Sequence, residues 1–445
     1  MPKLFGTDGV RGLANHELTP ELAMRLAQAH ATYLRESGIL RPHILVGRDT
    51  RISSPMLEAA YVAGLNSQGS DATSLGILPT PGVAFLTSKG NFDGGIMISA
   101  SHNPIGDNGI KIFGPDGFKL NDLASAAVER HYFGDAVERP TGTGIGTHHY
   151  KPELGRGYVD HLVSCVPIRL DGLKVVLDCA NGAGFAIGLE VFEALGAELY
   201  LLHAQNDGSR INVACGSTDL SAIKAEVKLQ GAHFGVALDG DADRCLAVDE
   251  NASEVDGDRM LYLFSHSLRE QGRLRNNAVV ATVMSNFGLE RAFNKDGTTF
   301  HRTQVGDRYV LERMLETGAA LGGEQSGHLI FIDHATTGDG LLSAILLAAR
   351  IKQSGRSLSK LTEGFQSLPQ LLVNIHAPNR EKLKGNVEID EAIEAQSGRL
   401  GDRGRILVRP SGTEPLVRVM AEGPDEAELR EILDYLAELI KVKLA

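Results

Sequence analysis

The stretch Gly94–Phe113, GGIMISASHNPIGDNGIKIF, decides how the rest of the chain is read. Ile96, Met97 and Ile98 form a short apolar run behind two glycines, which predicts a buried strand. The run empties into Ser99, Ala100, Ser101, His102 and Asn103, with Pro104 as a stop. A strand ending this way presents a hydroxyl at the carboxyl edge of a sheet, where open α/β sheets bind ligands. Lys111 returns a positive charge between Ile110 and Ile112. A hydroxyl, an imidazole and an ammonium near one turn suit phosphoryl transfer onto and off Ser101. A capped turn uses the same residue types, so the rest of the chain must discriminate.

With 445 residues the chain exceeds one ordinary core and suggests three or four domains. Apolar and charged fractions of 42% and 22% are those of a soluble globular protein. A net charge of -12 argues against a nucleic-acid binder, so an anionic substrate must be drawn in by local Arg, Lys or a metal ion. Cys165, Cys179, Cys215 and Cys245 are scattered without CxxC or zinc spacing, which predicts a reducing compartment and no disulfide framework. Met1–Gly12 has no apolar signal core, and no apolar run is long enough to span a membrane. A cytoplasmic protein without a membrane partner is expected.

Strand, helix and strand alternate along the chain, predicting α/β architecture with largely parallel sheets. Phe5–Gly12, FGTDGVRG, reads as a glycine-spaced turn carrying Asp8 and Arg11, the latter a candidate phosphate ligand. Thr19-Pro20-Glu21 marks a helix start, Ile44–Val46 a strand, and Ser54-Pro55 a second helix. The turn-rich 140–147 stretch, PTGTGIGT, reads as a linker. The pattern restarts at Leu173–Leu177 and again near Val255, and a smaller block closes the chain. The expected domains are 1–150, 151–252, 253–366 and 367–445: three similar α/β domains plus a smaller C-terminal α+β domain around a central cleft.

Three further loops carry chemistry. Asp239, Asp241 and Asp243 alternate after the predicted strand Phe234–Leu238, and three hard oxygens with few other ligands suit Mg²⁺. An EF-hand is excluded, because Arg244 stands where its sharp turn needs Gly and the flanks read as strands. Gly323–His328 offers Glu324, Ser326 and His328 to the hydroxyls of a sugar. In Arg409–Arg418, Ser411, Gly412 and Thr413 form a phosphate-cradling turn to which Arg409 and Arg418 add charge. If these loops converge, they describe phosphoryl transfer on a phosphorylated sugar.

FGTDGVRG, ISASHNP with DNGIKIF, DGDADR, GGEQSGH and RPSGTEPLVRV occur in the order found in the α-D-phosphohexomutase superfamily, which this chain resembles nearly end to end. The resemblance implies that Ser101 is a phosphoserine and that its phosphate joins Asp239, Asp241 and Asp243 around one Mg²⁺. It implies substrate contacts from Arg244, Glu324, Ser326, His328, Arg409, Ser411, Gly412, Thr413 and Arg418. Lys111 and Arg11 would assist near the reacting oxygens, and His102 would relay a proton. Gln325 within GEQSGH points to the amino-sugar branch. The implied activity interconverts glucosamine 6-phosphate and glucosamine 1-phosphate through a 1,6-bisphosphate, on the route to UDP-N-acetylglucosamine. A glucosamine or glucose 1,6-bisphosphate would serve as primer, and the enzyme would be a homodimer. The nearest alternatives are a glucose or mannose phosphate mutase and a Mg²⁺-dependent phosphatase. One departure is Ala242, where many members have Gly, which puts a Cβ into a turn that favours positive φ.

Overall fold

A computed structural model describes residues 4–6, 8–135, 138–411 and 415–444. Its chain forms two compact units, one of residues 1–283 and 299–363, the other of residues 284–298 and 364–445.

The larger unit contains three mixed, mostly parallel sheets. The first runs in space Val10–Leu13, Asp107–Phe113, Gly94–Ile98, His43–Arg48, Asp71–Ile77, His148–Tyr150. Its last four strands are parallel and its first two antiparallel. The second runs Glu254–Val255, Cys245–Asp249, Phe234–Leu238, Lys174–Asp178, Glu198–Leu202, again with a parallel core and antiparallel hairpin edge. The third runs Thr299–Thr303, Ala278–Thr282, Leu321–Gly323, Leu329–Phe331. Strands such as Gly94–Ile98 and Phe234–Leu238 are buried along their whole length, as parallel strands covered on both faces must be.

Local sequence sets the helix ends. Thr19 Oγ1 accepts from Leu22 N at 3.2 Å and Pro20 occupies the first turn of the helix Pro20–Glu36. That helix packs on Ser54–Ser67 at Gly64, where a Cβ would lie 2.4 Å from Met24 O. One expectation is revised. Val10 and Arg11, read as part of a turn, lie in an antiparallel edge strand paired with Gly109 and Ile110. Just after the linker-like 140–147 stretch, His148–Tyr150 pairs with Ala72–Ser74 and extends the first sheet.

The smaller unit is an antiparallel sheet ordered Gln370–His376, Leu416–Glu422, Arg405–Pro410, with the helices Val387–Leu400 and Glu426–Lys443. Segment 284–298 joins it: Asn286 exchanges side-chain hydrogen bonds with both backbone groups of Leu368, and Phe287 N donates to Glu422 Oε1 at 3.2 Å. No helix among the described residues is long and apolar enough to cross a membrane.

His30 supplies a test of the first core. It is 1% exposed, its Nδ1 lies 3.1 Å from Tyr61 OH, and burial pushes its imidazole down to about 4. The unfolded chain binds the proton near its usual value of about 6.5. Stability therefore falls as pH drops from about 6.5 toward 4 and is unaffected above that window. In urea unfolding between pH 6.5 and 4.5, wild type should lose about 2–3 kcal/mol more than His30→Gln; parallel curves would contradict this account of the core.

Candidate active site

Ser101 sits one turn beyond the strand Gly94–Ile98, buried to 1% exposure, with φ at +54°. A non-glycine residue in that region is held there by its surroundings. The surroundings are specific: the Ser101 carbonyl accepts from Arg51 Nη2 at 2.9 Å and Asn212 Nδ2 at 2.8 Å, and its N–H donates to Ser99 Oγ at 3.0 Å. Gly240 passes against this carbonyl so closely that a Cβ would lie 2.6 Å from it. The hydroxyl is thereby aimed at the aspartate loop, with Ser101 Oγ donating to Asp239 Oδ2 at 2.5 Å. His102 Nδ1 lies 3.1 Å from the same Oγ, and burial, reinforced by Arg244 and Arg11, pushes its imidazole down to about 4. It is neutral at pH 7.

The aspartate loop joins the antiparallel strands Phe234–Leu238 and Cys245–Asp249. Asp239, Asp241 and Asp243 are at most 3% exposed, and one oxygen from each lies within 4.8 Å of the others. Lys111 Nζ, fully buried, donates to Asp241 Oδ2 at 2.8 Å and Asp243 Oδ2 at 3.1 Å, and pairs with Asp8 at 3.2 Å. Burial alone would discharge that ammonium, but the three carboxylates hold it charged, well above its ordinary range. Asp239 is pushed well up by burial and by Asp243 and Asp241, whereas Asp243, despite burial, is held well down by Lys111 and His328. Among the described residues, Asp241 Oδ1 and Asp243 Oδ1 are buried without a hydrogen-bond partner. Two orphaned carboxylate oxygens in a site of hard donors fit a Mg²⁺ ion. Ala242 takes the left-handed conformation, φ +56°, that the loop requires.

Above this loop a cavity of about 520 Å³ brings together Asp8, Arg11, His102, Asp243, Arg244 and Glu324. Arg11 donates to Asn103 Oδ1 at 3.0 Å and Ala100 O at 3.3 Å and pairs with Asp8. Glu324 Oε1 accepts from Gly306 N at 3.1 Å. Ser326 is half-buried on the same loop, and Gln325 Nε2 donates to Asp256 Oδ2 at 3.3 Å. His328 is 2% exposed: Gly338 N donates to its Nε2 at 3.0 Å, which leaves Nδ1 to carry the proton toward Asp243 Oδ1, 3.7 Å away. His328 also lines the same cavity, beside Asp243 and Glu324.

In the smaller unit Arg409 and Arg418 stand directly opposite each other in the ladder. Burial, and then the neighbouring Arg418, push the Arg409 guanidinium down. Ser411 is 6% exposed and its N–H donates to Leu416 O at 2.8 Å. Gly412 and Thr413 lie outside the described residues.

Residue patterns had not singled out the groups that hold the site in place. Arg51, fully buried, donates to the carbonyls of Ser101, Asn103, Pro104 and Asp107 and pairs with Asp49. Thr80 Oγ1 donates to Asp241 Oδ2 at 2.5 Å, and Lys119 ties Asp8 to Asp307. The available signal was GRDTR at 47–51, three charges at the end of a buried strand.

Comparison with known proteins places all four blocks in one family. Phosphoglucomutase/phosphomannomutase alpha/beta/alpha domains I, II and III match residues 2–138, 156–254 and 256–368, and the C-terminal domain of that family matches residues 372–439. Phosphoglucosamine mutase of Desulforamulus reducens is 50% identical over 442 residues, covering 99% of each chain. Phosphoglucosamine mutase of Streptomyces avermitilis is 50% identical over 451 residues, covering 100% of each. Among solved structures, a phosphoglucomutase/phosphomannomutase family protein of Burkholderia thailandensis superposes with a TM-score of 0.81 at 25% identity, covering 98% of this chain and 97% of its own.

Two substitutions test the site's framework. Arg51→Gln should free four carbonyls and leave the buried Asp49 carboxylate without its ion partner, at a cost of about 3 kcal/mol or more, read as faster hydrogen exchange in residues 99–107; unchanged protection there would show that Arg51 does not hold the turn. Ala242→Gly should retain stability or gain up to about 1 kcal/mol, because glycine adopts positive φ without strain. A loss of about 1 kcal/mol, as in a helix interior, would mean that the turn is not strained.

Proposed function

The chain belongs to the phosphoglucomutase/phosphomannomutase family, and from that premise we infer that it acts as a phosphoglucosamine mutase, an isomerase interconverting glucosamine 6-phosphate and glucosamine 1-phosphate. The observation that carries the chemistry is the buried Ser101 hydroxyl aimed at three carboxylates beside a charged lysine. The choice of sugar is supported by about 50% identity to curated phosphoglucosamine mutases over the full chain.

In the proposed cycle Ser101 carries a phosphoryl group. The 1-hydroxyl of glucosamine 6-phosphate attacks phosphorus, the bond to Ser101 Oγ breaks, and the 1,6-bisphosphate forms. The bisphosphate then turns over, and Ser101 Oγ attacks the 6-phosphoryl group, leaving glucosamine 1-phosphate and the phosphoenzyme. Neutral His102, 3.1 Å from Ser101 Oγ, relays one proton in each half: from the 1-hydroxyl to the departing Ser101 Oγ in the first, and from the Ser101 hydroxyl to the departing 6-oxygen of the sugar in the second. Lys111 keeps the carboxylates from repelling the incoming phosphate, and Arg11 and Arg244 attract it. Asp239, Asp241, Asp243 and the phosphoryl group on Ser101 would hold a Mg²⁺ ion, which would supply further stabilisation of charge on the transferring group.

Glu324, Ser326 and His328 are assigned to the sugar loop. Arg409, Ser411, Gly412, Thr413 and Arg418 are assigned to the phosphate that is not being transferred. We keep the domain division 1–150, 151–252, 253–366 and 367–445, a bisphosphate primer, a cytoplasmic homodimer, and no nucleic-acid partner as parts of this proposal. The net charge of -12 supports the last of these.

Ser101→Ala should abolish turnover while leaving the fold intact; full activity in a homogeneous preparation would sink the mechanism. With Mg²⁺ and a trace of bisphosphate, kcat/KM for glucosamine 6-phosphate should exceed that for glucose or mannose 6-phosphate by about tenfold, or about 1.4 kcal/mol. A preference for a neutral sugar would overturn the substrate and keep the chemistry, whereas stoichiometric release of inorganic phosphate would mark a phosphatase.

A further inference from the structure

A second cluster of metal-ligating side chains lies outside the machinery described so far. Asp178 ends the strand Lys174–Asp178, His203 follows the neighbouring parallel strand Glu198–Leu202, and Cys215 lies in the loop beyond it. One donor atom from each lies within 4.8 Å of the others. We propose that Asp178, His203 and Cys215 form a site for a borderline-soft divalent cation, Zn²⁺, distinct from the aspartate loop.

The donor set points to that ion. Carboxylate, imidazole and thiol together match the ligands of Zn²⁺, which binds such atoms at about 2.0–2.3 Å and keeps a fourth position for water. A thiolate selects against Mg²⁺, whereas the all-oxygen loop at Asp239–Asp243 selects for it. Asp178 and Cys215 are fully buried, and the His203 side chain is 31% exposed, leaving a solvent face.

The backbone is shaped around the cluster. His203 has φ +44°, Ala180 +52° and Ala214 +49°, three non-glycine residues in the left-handed region on the three segments that meet here. Such conformations persist where the surroundings over-determine them. His203 Nδ1 stands 2.9 Å from Asp178 Oδ2, and Asp178 Oδ1 accepts from Ala180 N at 2.9 Å, so the carboxylate is already oriented. The Cys215 thiol donates to Arg210 O over a long 3.8 Å, and the backbone of Asn212 and Val213 also hydrogen-bonds to its sulfur. Burial and the Asp178 carboxylate push that thiol up to about 12, so it is protonated without a cation. Binding breaks the S–H bond, forms a Zn–S bond and releases the proton to buffer; the imidazole proton moves to Nε2 if Nδ1 becomes the ligand.

The site has a route to Ser101. Asn212, three residues before Cys215, donates its N–H to Ala180 O at 3.0 Å and its Nδ2 to Ser101 O at 2.8 Å. A cation tying Cys215 to Asp178 fixes the segment that holds the Ser101 turn.

The test uses the full-length protein in excess Mg²⁺, which occupies the hard-oxygen site, with Co²⁺ as the spectroscopic probe. Wild type should take up one equivalent with a thiolate-to-Co²⁺ charge-transfer band that Zn²⁺ displaces. Cys215→Ser and, separately, His203→Ala should lose the band and weaken Zn²⁺ binding by at least about tenfold. His203 is partly exposed, so its variant guards against a failure of Cys215→Ser to fold. Cys165→Ser, altering the thiol that lies 3.5 Å from His334 Nδ1, should keep both properties. A band that survives in Cys215→Ser, or the absence of any band in wild type, overturns the proposal and leaves a hydrogen-bonded structural cluster. None of these outcomes depends on mutase activity.

Discussion

Three carboxylates buried within 4.8 Å of one another repel by about 3 kcal/mol per pair at an effective dielectric of about 20, and much of the larger unit is arranged to answer that repulsion. Lys111 is the first answer, an ammonium sunk in the core of the first sheet and shared by Asp241, Asp243 and Asp8. Asp8 in turn recruits Arg11 and Lys119, and Lys119 reaches Asp307. Charges alternate along this line, so each of these ions has an opposite neighbour. One residue is left to absorb the excess: Asp239, pushed well up, faces the Ser101 hydroxyl. The aspartate that burial and its two neighbours push up is therefore the one that faces the Ser101 hydroxyl, which couples the state of Ser101 to the charge balance of the loop.

A second constraint is conformational. The Ser101 hydroxyl reaches Asp239 only because the residue turns through positive φ, and a serine does not stay there unaided. Arg51 and Asn212 hold the carbonyl from two sides, and Asp49 anchors both Ser99 Oγ and the Arg51 guanidinium. A buried arginine is expensive unless its donors are filled; here they meet four carbonyls of one loop and the Asp49 carboxylate. The same contacts that satisfy the ion define the turn.

These two constraints explain what was legible in the sequence. Phe234–Leu238 emerged with the bounds it has in the structure, because a short apolar run between turn residues has few other fates. The helix at Pro20 was signalled by its cap. Ser101 and the aspartates were readable because chemistry needs those residue types in that spacing. Arg51 and Asn212 were not, since their partners are backbone carbonyls, which leave no trace in residue identity. Arg11 was misplaced in a turn because Gly9 and Gly12 bracket it, although its strand is set by pairing with a segment about a hundred residues away. The membership of 284–298 in the smaller unit has the same origin: Asn286 reads as a helix cap, and only the folded chain shows it bound to Leu368.

Both cation-ligating clusters follow from one property of parallel sheets. Lys174–Asp178 and Phe234–Leu238 are parallel neighbours, so their carboxyl ends share an edge. One end delivers Asp178 and the other Asp239, and the backbones beyond them touch where Ala183 N donates to Gly240 O at 2.8 Å. Donor chemistry, not position, separates the two. The Phe234–Leu238 end continues into a loop of carboxylates only, and the Lys174–Asp178 end meets an imidazole and a thiol. An edge that gathers strand ends will collect ligating groups in any such fold. Whether they become one site or two depends on the hard or soft character of the donors each loop supplies.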